Sequence, residues 1–146
     1  MLDQFKLKGY LTLLKFDKTG KCIEESRFDN LIVDKGLEYT SKLLNGVSTD
    51  AFKYIAIGSD STAAVIADTT LNTEVDRELA SAVYEADFKA KLTVTFSFIA
   101  PATIKEAGIL DAASVGHLLS RVTFADKSFE IGESLGVVWT IELSRS

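Results

Sequence analysis

Between Lys91 and Phe98 apolar and polar residues alternate without a break. Leu92, Val94, Phe96 and Phe98 are interleaved with Lys91, Thr93, Thr95 and Ser97. A period of two sends successive side chains to opposite faces, so this run predicts a strand with one buried face. Pro101 ends it, because proline cannot donate to a strand ladder. The C-terminus repeats the pattern, with Val137, Trp139, Ile141 and Leu143 opposite Val138, Thr140 and Glu142. Two half-buried strands of this kind need a second apolar layer to cover them.

The rest of the chain supplies that layer. Phe5 to Phe16 is rich in Phe, Tyr, Leu and Thr, Asp17-Lys18-Thr19-Gly20 makes a turn, and Lys21 to Phe28 is extended again. Together they predict an N-terminal hairpin over residues 5–28. Phe5, Leu7, Leu11 and Leu13 lie on one face of its first strand and Tyr10, Leu14 and Phe16 on the other, so the strand is expected to be covered on both sides. Cys22 alternates with its neighbours like a small buried hydrophobe. As the sole cysteine it excludes an intrachain disulfide.

One helix is predicted over about 34–45. Asp34 is its expected cap, Leu37, Ser41 and Leu44 recur at helical spacing, and Asn45-Gly46 stops it. Gly36 weakens it slightly. So short a helix should plug one end of a sandwich. A strand is expected over Phe52–Ile57, a long apolar loop over Ser59–Thr73, and a solvent-facing stretch from Glu74 to Glu78. With about seven short strands and one helix, the 146 residues are expected to form one domain, 1–146. Its class is mostly β, a two-layer antiparallel β-sandwich of Ig-like or jelly-roll-like type. Strand order is not derivable from the sequence.

Chemistry finds little support. Gly58-Ser59-Asp60-Ser61 lacks the second glycine of a nucleophile elbow, and nothing in the sequence brings Ser59, Asp111 and His117 together as a triad. One His and one Cys cannot build a zinc site. Asp17, Asp60 and Asp68 do not have the spacing of a calcium loop. No catalytic residue, cofactor or metal is therefore expected. With 16 basic against 21 acidic residues the net charge of −5 disfavours nucleic acid. No apolar run is long enough to span a membrane, and the segment Met1–Lys6 lacks the pattern of a signal peptide.

A composition 47% hydrophobic, without a membrane segment, points to surface covered by other subunits, a well-filled core being the alternative. The loop is the expected place, because Ala63, Ala64, Val65, Ile66 and Leu71 are apolar where loops are ordinarily polar; the alternative is that the loop folds back over its own sandwich. Arg77 is expected to pair with Asp68, Asp76 or a neighbouring chain. Glu106 and Arg121 fall in adjacent strands, where a cross-strand pair on a solvated face contributes roughly 0.2–1 kcal/mol.

Several segments carry a resemblance. Asn30-Leu31-Ile32-Val33-Asp34-Lys35-Gly36-Leu37, then Tyr54-Ile55-Ala56-Ile57-Gly58, Asp68-Thr69-Thr70-Leu71 and Arg77 come in that order. Ile104-Lys105-Glu106-Ala107-Gly108-Ile109-Leu110, Leu118-Leu119-Ser120-Arg121-Val122 and Trp139-Thr140-Ile141 complete it. Along nearly its whole length the chain resembles small virion structural proteins of tailed bacteriophages and prophages. These include head-decoration, fibre-attachment and minor tail proteins. The departure is Ala63-Ala64-Val65-Ile66, where such loops often carry proline. The resemblance implies a non-enzymatic subunit, most directly one that decorates or stabilises the capsid. It would be made in the host bacterial cytoplasm and located in the virion, with itself as a homotrimer and major capsid or tail subunits as partners. The alternatives are a tail, baseplate or fibre-attachment component, or a host-glycan recognition module using Tyr39, Tyr54 or Tyr84. A small hydrolase is a third, more distant class.

Overall fold

The two alternating segments pair directly with each other. In the computed structural model, which describes residues 4–145, Phe96, Val94 and Leu92 lie opposite Leu135, Val137 and Trp139. Leu11 and Leu13 of the first strand lie opposite Trp139 and Val137 on the other flank. All of these are buried, so three neighbouring strands build one apolar face by period-two alternation. Residues Met1–Asp3, half of the segment read for a signal, lie outside the described residues.

Ten strands and one helix occur among the described residues: β1 Phe5–Phe16, β2 Cys22–Asp29, β3 Leu31–Ile32, α1 Asp34–Leu44, β4 Tyr54–Gly58, β5 Glu74–Leu79, β6 Ser81–Glu85, β7 Lys89–Ser97, β8 Ala102–Leu110, β9 Leu118–Phe129 and β10 Ser134–Arg145. They form two antiparallel five-stranded sheets, β2-β1-β10-β7-β6 and β3-β9-β8-β4-β5. The sheets pack face to face as a β-sandwich around Trp139, Phe96, Ile55, Ile57, Ile109 and their neighbours. Phe98 stacks on Phe129 across the core with ring centroids 4.4 Å apart.

The count of ten exceeds the expected seven because β3, β5 and β6 lack a buried stripe. All five residues of β6 are exposed, and β5 is charged. Hydrogen bonding to one neighbour makes them strands without marking them in the hydrophobic pattern. The fourth strand also starts later than expected, at Tyr54.

Three other expectations are corrected. Cys22 is exposed, because it opens β2 at the sheet edge, beyond the core. Leu143, read as part of the buried stripe of β10, emerges from the core at the strand's end and is exposed. The helix begins at Asp34, but Val33 holds the cap position and no side chain caps it; the Asp34 N–H donates to the Ile66 carbonyl at 2.9 Å. Its Leu37, Ser41 and Leu44 stripe faces solvent. The docked side is Gly36, where a Cβ would overlap the Leu119 carbonyl, with Thr40 and Leu43 beside it. Gly36, a weakness by propensity, is what lets the helix reach β9.

The outer face of β1 is half-buried by the chain itself, with the Arg27 guanidinium 3.9 Å from the Tyr10 ring centroid. Strand β8 is buried on both faces over Glu106–Leu110. Its inner face joins the main core. Its outer face meets Val33, Ala56, Leu71 and Leu118 in a second, smaller cluster. Something therefore covers that sheet from outside, and it is the loop 59–73.

Candidate functional site

The loop is held mainly by charge, with Leu71 its one apolar anchor in the second cluster. Glu106 stands on the outer face of β8 opposite Gly58 of β4 and has no exposed surface. Its Oε2 accepts from the N–H groups of Asp60 at 3.1 Å and Thr73 at 2.9 Å. Its Oε1 accepts from the Asn72 N–H at 3.0 Å and from Arg121 Nε at 3.0 Å. One carboxylate thus gathers both ends of the loop. Gly58 is required beneath it, since a Cβ there would run into the Thr73 carbonyl and the Glu106 carboxylate.

Arg121 is equally buried. Its Nη1 donates to Asp68 Oδ2 at 3.1 Å, and its Nη2 lies 3.8 Å from Asp60 Oδ1. Asp68 Oδ2 also accepts from the Val65 N–H at 3.0 Å, and the Asp68 N–H returns a bond to the Val65 carbonyl. Hydrogen bonds from Thr62, first through its side chain and then its amide, hold the Asp60 carboxyl below its ordinary value; Asn72 and the Arg121 charge act in the same direction. The network replaces the expected solvated cross-strand pair with a buried one. Burial occurs because the loop lies over the outer face of β8 and β9. A trace of this is visible in the sequence at Arg121, a single charge in the run 118–124, which is the pattern of a strand covered on both faces; Glu106 gives less, since Lys105 stands beside it.

The residues expected to meet a neighbour divide. Val65 and Ile66 are 53% and 56% exposed, Ala63 is exposed and Ala64 half-buried. Leu71 is not available, because it is buried in the second cluster. Arg77 is not free either. Nε and Nη2 grip both Glu74 oxygens at 3.1 and 2.6 Å, while Nη1 donates to the Ala112 and Val115 carbonyls at 2.9 and 2.8 Å. It braces the β8–β9 turn of its own chain instead of pairing with Asp68 or a neighbour.

Asp111 and His117 do come together. Asp111 accepts from the His117 N–H at 2.6 Å, and its other oxygen lies 2.9 Å from Nδ1. The imidazole stacks on Tyr39 with centroids 3.5 Å apart, which ties the turn to α1. Ser59 does not join them; its N–H donates to the Thr73 carbonyl. The Asp17 carboxylate is consumed by its own turn, accepting from the Thr19 and Lys21 N–H groups and the Thr19 hydroxyl. Among the described residues no group of three or more His, Cys, Asp or Glu is placed to hold a metal, and no helix is long and apolar enough to cross a membrane.

A second apolar surface was not anticipated. Where sheet β2-β1-β10-β7-β6 extends past the helix, its inner face opens into a groove of about 440 Å³ lined by Leu7, Leu43, Phe52, Tyr84, Ile141 and Leu143. Val83 and Tyr84 stand exposed along its rim.

Comparison with protein-family models, with curated proteins and with solved structures finds no match for this chain.

Proposed function

We propose that this chain is a non-enzymatic structural subunit of a tailed-phage or prophage particle, most directly one that decorates or stabilises the capsid. The observation that carries the reading is the loop 59–73. Val65 and Ile66 are held outward on a backbone fixed by a buried ion pair, and rigid apolar presentation is what subunit docking uses. The virion context rests on the sequence resemblance. In this reading the chain is made in the bacterial cytoplasm, carries no cofactor, and contacts copies of itself as a homotrimer together with major capsid or tail subunits. Its net charge of −5 argues against nucleic acid as the partner.

A tail, baseplate or fibre-attachment role would use the same surface. A glycan platform has less to build on: Tyr84 is exposed, but Tyr39 is taken up by His117 and Tyr54 is half-buried within β4. The test is co-sedimentation of the chain with intact particles produced by its host, followed by separation of heads from tails. Recovery with heads is the expected result. Recovery with tails moves the subunit to the alternative role, and absence from particles overturns the proposal.

A further inference from the structure

We propose that β6 is a self-association edge, taking the β6 strand of a second copy of this chain in antiparallel, two-fold pairing. A sheet edge exposes unpaired N–H and C=O groups, and folded proteins normally blunt it with charge or keep it short. Three of the four edges here follow that rule. β2 carries Glu24, Glu25, Arg27 and Asp29, β5 carries Glu74, Asp76, Arg77 and Glu78, and β3 has only two residues. β6 departs from it. Its sequence is Ser81-Ala82-Val83-Tyr84-Glu85, every residue is exposed, and among the described residues its backbone pairs only with β7. Its one charge, Glu85, already has Lys91 at 3.4 Å.

The self-register follows from geometry. A two-fold axis normal to the sheet keeps each residue on its own face, so one residue must lie opposite its own copy. Centred on Val83, the pairing sets Val83 against Val83, Ala82 against Tyr84 and Ser81 against Glu85 of the second copy. No like charges meet, and each tyrosine lies over an alanine that leaves it room. By contrast, centring β5 on Val75, Asp76 or Arg77 opposes Glu74 to Asp76, Asp76 to itself, or Arg77 to itself. Val83 is 54% exposed, and Tyr84 is held along the hairpin by the Phe88 N–H donating to its hydroxyl at 3.3 Å. The pairing also continues the apolar groove from one copy into the next. It is independent of the virion reading. A three-fold contact through the loop and a two-fold contact through β6 are compatible, since together they close with dihedral symmetry.

The test measures the solution mass of the whole chain by light scattering. An even multiple of 15.9 kDa is expected, and Val83→Lys should halve it while the circular dichroism and thermal midpoint stay unchanged. A second readout uses Cys22→Ser with Val83→Cys, which under mild oxidation should give a covalent dimer, whereas Cys22→Ser with Val75→Cys should not. An odd multiple, a mass unmoved by Val83→Lys, or cross-linking no better at position 83 than at 75 would overturn the pairing. Those outcomes leave particle association to be decided by co-sedimentation.

Discussion

The outer face of β8 and β9 and the free edge at β6 invert the usual distribution of polarity in opposite ways. Under the loop, Arg121 and Glu106 are charged and fully buried. At β6, Ala82, Val83 and Tyr84 are apolar and exposed. A buried ion pair recovers its desolvation cost only when its donors and acceptors are well placed. Arg121 Nη2 has only the Asp60 charge at 3.8 Å and no hydrogen bond, while Glu106 is saturated by three backbone N–H groups besides Arg121. Its result is a loop in one conformation. The edge has no such compensation within the chain, and its apolar surface is what the proposed self-pairing would cover. One region uses polarity for internal order, and the other leaves apolar surface exposed.

The contrast breaks most directly at Glu106. Glu106→Ala leaves Arg121 buried beside only the Asp68 and Asp60 carboxylates and orphans three loop N–H groups, so it should cost about 3–5 kcal/mol. Urea unfolding measures this, and proteolysis should begin within residues 59–73. Arg121→Met should cost less, about 1.5–3 kcal/mol, because Glu106 keeps its three backbone donors. Equal losses from the two would mean that the carboxylate is not the centre of the network.

Acid sharpens the same side. The Asp60 carboxyl is lowered in the folded chain, so its contribution is present above its ordinary value of 3.8 and is lost as pH falls through the depressed folded value. A melt series through and below pH 4 should show part of the loss disappear in Asp60→Asn. The smallest effect is expected at Glu78, whose carboxyl is raised, first by burial and then by Asp76. A raised carboxyl costs stability above its folded value and is relieved as pH falls through it. Glu78→Gln should therefore raise the thermal midpoint slightly at pH 7 and leave it unchanged in acid.

How far the sequence speaks depends on which faces of a strand are covered. β7 and most of β10 were legible because one face is buried and the other wet, so Leu92, Val94, Phe96, Val137, Trp139 and Ile141 all lie in the core as their alternation predicts. The first hairpin and the helix bounds were legible through turn and stop residues. β5 and β6 were not, because a strand without a buried stripe has no periodic signal. Leu71 and Arg77 were misplaced for another reason. Both are loop or edge residues whose partners, Val33 and Leu110 in one case and Glu74 with the Ala112 and Val115 carbonyls in the other, depend on tertiary folding. Arg121 left a trace, and a loop folded back over its own sandwich was an open alternative, but nothing in the sequence tied the loop to the Arg121–Glu106 pair.

The central claim is that Val65 and Ile66, held outward on the clamped loop, present a contact to another subunit and contribute little to the chain's own fold. Val65→Asp combined with Ile66→Asp tests it, with light scattering and a thermal melt run on the same sample. The account predicts a fall in assembled mass with the thermal midpoint unchanged, since both side chains are more than half exposed. A lowered midpoint with the assembled mass retained would contradict it, and would mean that the two side chains serve the chain's own fold.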